Sequence, residues 1–167
     1  MQRLIPMSNR LVVALVVALV VAVVAAGVAF ATPGTGVTNT PIAAGGLGPV
    51  DLIIKTGDWK IDLRTKGDSD VSVVESRLTP GGSFGWHSHP GPSFSVVKSG
   101  TLSFYRADDP TCTPVIYRAG DVLIDPGHTV HIGRNEGSVD LVLVITRIVP
   151  HGAATRIDEP NPGNCPF

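Results

Sequence analysis

Gly81-Gly82-Ser83-Phe84-Gly85-Trp86-His87-Ser88-His89-Pro90-Gly91-Pro92 decides the architecture of this chain. His87 and His89 stand two residues apart. In an extended strand, alternate side chains share one face, so both imidazoles would converge on one spot. Trp86 would then face the opposite way and pack.

Outward from this stretch the pattern stays extended. Trp59, Ile61 and Leu63 alternate with Lys60, Asp62 and Arg64. Val71 to Leu78 forms another run, closed by the turn signal Thr79-Pro80-Gly81-Gly82. Further strands are predicted around Phe94–Val97, Leu102–Tyr105, Val115–Tyr117, Val122–Ile124, Thr129–Ile132 and Leu141–Ile148. Ala107 to Pro114 reads as a loop. No helical period longer than two turns appears after residue 30. Many short strands with turn signals roughly every eight to twelve residues predict an all-β sandwich or barrel.

His131 sits between Val130 and Ile132 on a later apolar strand, where it would close a three-nitrogen face with His87 and His89. Neutral imidazole is the commonest protein ligand for late divalent metals. Three protein ligands with an open position suit a reactive metal. Histidines hydrogen-bonded inside a core, without metal, are the alternative that the three residues alone leave open.

Both stretches resemble the cupin superfamily. Its first motif is G-x5-H-x-H-x3,4-E-x6-G, and this chain places Gly81, His87, His89, Ser93 and Gly100 at those spacings. Ser93 replaces the family's glutamate. The second motif is G-x5-P-x-G-x2-H-x3-N, matched by Gly120, Pro126, His128, His131 and Asn135, with His128 where a glycine is usual. The resemblance spans about residues 50 to 149. It implies a cupin jelly-roll barrel and a divalent metal ion (Fe, Mn, Zn, Ni or Cu) held by His87, His89 and His131. It also implies a small organic ligand or substrate, with oxygenase-like chemistry or ligand binding alone as the two outcomes. Ser93 is a candidate lining residue; His128, three residues before His131, should face the other way on a strand, and lines the site only if a turn aims it inward. No catalytic residue is assigned. A cupin fold hosts many activities, so it selects no substrate. Sheet edges of such barrels commonly pair, which makes a homodimer the expected assembly.

Ahead of the strands, Leu11 to Phe30 is a twenty-residue run without charge, preceded by Arg3 and Arg10. Such a run is stable as a helix in hydrocarbon, with the arginines held on the cytoplasmic side. Ala29-Phe30-Ala31 has the small-x-small pattern of a signal-peptidase site. Residues 1–31 therefore read as a cleaved signal peptide or a retained membrane anchor. Either would place the barrel outside the cytoplasm, secreted or in the cell envelope. Residues 32–49 read as a flexible linker, 50–150 as the barrel, and 151–167 as an irregular Pro-rich tail.

The chain has 167 residues, and its two cysteines are Cys112 and Cys165. A lone pair in an exported chain favours one disulfide, tying the tail to the barrel, over two free thiols. Net charge is −1, so no basic field invites nucleic acid. There is no phosphate loop with lysine.

Overall fold

The computed structural model describes residues 31–167. The segment expected to serve as signal or anchor falls almost wholly in residues 1–30 and lies outside the described residues. The described chain is all strand and loop. Its strands are β1 (Thr35–Leu47), β2 (Val50–Thr56), β3 (Trp59–Thr65), β4 (Ser69–Ser83), β5 (His87–Ser88), β6 (Ser93–Ser99), β7 (Thr101–Arg106), β8 (Val115–Arg118), β9 (Val122–Asp125), β10 (His131–Arg134), β11 (Leu141–Pro150) and β12 (Ile157–Asp158).

Ten of these strands wrap into a nearly closed barrel of two facing layers. One layer runs β1-β4-β11-β6-β9 and the other β8-β7-β10-β5-β12, all antiparallel. The layers join where Arg134 of β10 pairs with Ser83, the last residue of β4. Leu78, Val97, Leu102, Phe104, Leu123, Leu141, Leu143 and Ile145 fill the space between them. Each such side chain contributes about 1.5–3 kcal/mol by leaving water.

Alternation sets what faces inward. On β6, Ser93, Ser95 and Val97 are buried, while Phe94 and Val96 are exposed. The outer face of this layer is thus unusually apolar, and the inner face carries two serines.

A second, smaller core lies on the outer face of the other layer. Trp86, Tyr105, Ile132 and Cys165 pack there. Trp86 is 1% exposed and faces away from His87, as alternation predicts. The C-terminal segment covers this core, held by the Cys112–Cys165 disulfide, whose Cα atoms are 5.2 Å apart.

Four expectations from the sequence change. Residues 32–49 are not a free linker: β1 pairs with β4 along nearly its whole length. Its side chains are mostly exposed on both faces, so it carries no period to read. Pro41, which cannot donate to a ladder, sits where the register shifts. The strand read at Trp59–Arg64 is not a barrel strand. β2 and β3 form a separate hairpin, with Trp59 and Ile61 exposed. Thr79–Gly82 does not end its strand. These residues swell into a bulge opposite Gly36, letting β4 bend from one layer to the other. Finally, the tail is not merely irregular, because β12 adds to β5.

Candidate metal centre

The three histidines meet inside the barrel. His87 on β5 and His131 on β10 are direct cross-strand partners. Their ring centroids are 4.3 Å apart, and His89 lies 4.9 Å from His87 and 5.3 Å from His131. One nitrogen from each ring falls within 4.8 Å of the others. All three residues are 5% exposed or less.

Backbone carbonyls fix every ring. Nδ1 of His87 donates to Gly85 O at 2.8 Å, Nδ1 of His89 to Thr155 O at 2.7 Å, and Nδ1 of His131 to Thr129 O at 2.8 Å. A proton on each Nδ1 leaves the Nε2 lone pair free, which is the tautomer a metal needs. Gly85 is required for the first of these contacts. It takes φ +72°, and a Cβ there would sit 2.1 Å from Thr32 O.

Electrostatics favour the neutral rings. Burial pushes His87 down to about 2, helped by the neighbouring His131. Burial likewise takes His89 to about 4. His131 is also lowered, chiefly by burial and against the pull of Asp125. Three neutral imidazoles with free lone pairs on one point fit a divalent ion.

Ser93 lies in the same cavity, 4% exposed, on the wall facing the histidines. His128 does not. Its backbone has φ +57°, which turns the imidazole out to solvent; its N–H instead donates to His89 O at 2.8 Å. The left-handed conformation explains why glycine is usual at that place. Asn135 is fully buried as a brace, donating to Leu78 O and Val139 O. Glu136 is rim material: its carboxylate accepts from Tyr105 Oη at 2.9 Å, away from the cavity.

Three charged residues escaped the sequence reading. Asp125 is 3% exposed, and its Oδ2 lies 3.9 Å from His89 Nε2 and from His131 Nδ1. Its Oδ1 accepts from Gly127 N at 3.1 Å. Arg147 and Arg156 line the cavity as well. Two of the three had a signal. Asp125 keeps the inward parity of Leu123, and Arg147 that of Leu143 and Ile145. Arg156 and the acceptor Thr155 lie in the tail, where no period marks them.

The family model of the cupin domain matches residues 74–156. No curated protein matches the chain. Among solved structures, it is similar to a cupin-like protein from Thermotoga maritima, at 22% identity over 55% of this chain and 65% of that one, TM-score 0.46. A conserved protein with a double-stranded β-helix domain from Klebsiella pneumoniae shares 20% identity over 68% of this chain and 86% of that one, TM-score 0.45. An oxalate decarboxylase from Lactobacillus farciminis shares 21% identity over 53% of this chain and 26% of that one, TM-score 0.46.

Proposed function

This chain belongs to the cupin superfamily, and from that premise we propose that it holds one divalent metal ion on His87, His89 and His131 and acts on a small organic molecule beside it. The observation that carries this reading is the set of three carbonyls holding Nδ1–H on all three rings. Core histidines without a ligand would have no reason to leave three lone pairs facing one another. Iron, manganese, zinc, nickel and copper all suit such a site.

A bound ion would supply a Lewis acid with open positions for the organic molecule and for dioxygen or water. The protein's own part is positional. His87, His89 and His131 fix the geometry, and the two layers exclude bulk water. Three neutral nitrogens leave the ion's charge unreduced, with Asp125 the nearest carboxylate. The disulfide supports a compartment outside the reducing cytosol, secreted or in the envelope, to which the apolar N-terminal segment would deliver the barrel.

Elemental analysis of the purified full chain tests the metal. One equivalent of a divalent metal is expected, and it should vanish in the His87→Ala/His131→Ala double variant. A wild-type protein that takes up none of the five metals above background overturns the reading. Oxygen uptake or turnover across a panel of small organic compounds then tests the chemistry.

A further inference from the structure

The wall opposite the histidines carries a second arrangement. Arg147 on β11 is in register with Ser93 on β6, and Ser93 with Asp125 on β9. All three line the same cavity. Neighbouring strands lie about 4.8 Å apart, so the Arg147 and Asp125 backbones stand roughly 10 Å from each other. The residue between them has one of the shortest polar side chains. A guanidinium and a carboxylate thus face a gap across Ser93.

Both ends of the row are unanswered. Arg147 Nε is buried and has no hydrogen-bond partner, and neither has Asp125 Oδ2. Among the described residues no acid pairs with Arg147. Arg156, the other guanidinium in the cavity, is already committed to Asp158 and to Phe84 O. Buried donors and acceptors of this kind cost stability unless something satisfies them. The complement is a ligand with an anionic acceptor at one end and a donor at the other. The cavity holds about 70 Å³. That is several times the roughly 10–15 Å³ that a single water needs.

We infer that the Arg147–Ser93–Asp125 row binds a short hydroxycarboxylate. Its carboxylate accepts from Arg147, and its hydroxyl donates to Asp125 Oδ2. This deepens the proposed small-molecule reading and rests on it for the use of the cavity, but not on the metal.

Calorimetric titration of the full chain with three isosteric probes tests it. Glycolate has both groups, propionate lacks the hydroxyl and glycolamide lacks the charge. Wild type should bind glycolate at least tenfold more tightly than either of the others. Arg147→Met should erase the preference over glycolamide, and Arg147→Lys should keep part of it. Asp125→Asn should erase the preference over propionate while keeping the charge preference. Melting curves confirm that each variant is folded. Wild type that binds all three alike, or none, overturns the inference; so do preferences that survive both Arg147→Met and Asp125→Asn. The His87→Ala/His131→Ala variant separates the two readings. Preferences that persist there, in a protein shown to hold no metal, leave the row standing whatever the metal does. A wild type that holds metal but does not discriminate sinks the row alone.

Discussion

On β11, Leu141, Leu143 and Ile145 fill one half of the barrel interior, and Arg147 follows on the same face in the other half. β6 runs the opposite way, from Ser93 and Ser95 to Val97, and β9 from Leu123 to Asp125. One set of strands therefore builds an apolar floor and a polar chamber. The floor is satisfied by its own contacts. The chamber contains buried donors and acceptors that the protein itself does not answer. The floor contributes stability, and the chamber keeps unmet polar groups for something to bind.

The sharpest way to break that division is to cut into the floor. Leu143→Ala, at a site 2% exposed, should cost about 2–5 kcal/mol in denaturant unfolding through lost transfer energy and a cavity. Ser95→Ala, two strand positions from the chamber's Ser93, should cost far less in the same assay. Equal losses would show that the two halves are not energetically distinct.

Opening the disulfide tests whether the histidines need the tethered tail. The bridge spans 53 residues, for which loop entropy predicts a loss of about 4 kcal/mol in Cys112→Ala/Cys165→Ala. The same variant should weaken metal retention, because Thr155, which holds the His89 ring, lies in the tethered tail. Retention unchanged in a destabilised variant would detach the tail from the site.

Acid separates the halves by charge. The buried histidines are lowered from an ordinary value of 6.5, two of them to about 2 and about 4. Below pH 6.5 the unfolded chain binds protons that the folded chain refuses. Their contribution is therefore present above that pH and is lost as pH falls toward the folded values. Metal-free protein should lose up to about 1.4 kcal/mol per pH unit for each histidine. Chemical denaturation from pH 7 to 4 reads this slope, and the His87→Ala/His131→Ala variant should flatten it.

The smallest effect lies at the chamber's rim. His128→Gly should raise stability by about 1 kcal/mol, since a left-handed backbone strains any residue with a Cβ. Metal content should not change, because the imidazole points to solvent.

Much of this was legible because period-two alternation is local. It placed His87 and His89 on one face and turned Trp86 to the other. Two cysteines, and only two, pointed to the disulfide that joins Cys112 to Cys165. β1 stayed hidden because it is exposed on both faces and pairs through its backbone. The β2–β3 hairpin misled for the opposite reason: its alternation is genuine, but the barrel does not bury it. Asp125 and Arg147 kept inward parity, yet parity alone does not tell which inward positions line a cavity.

The sequence by itself determined the β architecture and the converging histidine pair, because side-chain alternation needs no knowledge of what lies across the sheet. The resemblance to the cupin motifs added the link to His131 and the place of Ser93 at the family's glutamate. Only the tertiary structure decided that Thr155 fixes a ring, and that Arg147, Ser93 and Asp125 form one row. Those depend on strand register and on where a bridged tail comes to rest, and both are set by pairings between residues far apart in the chain.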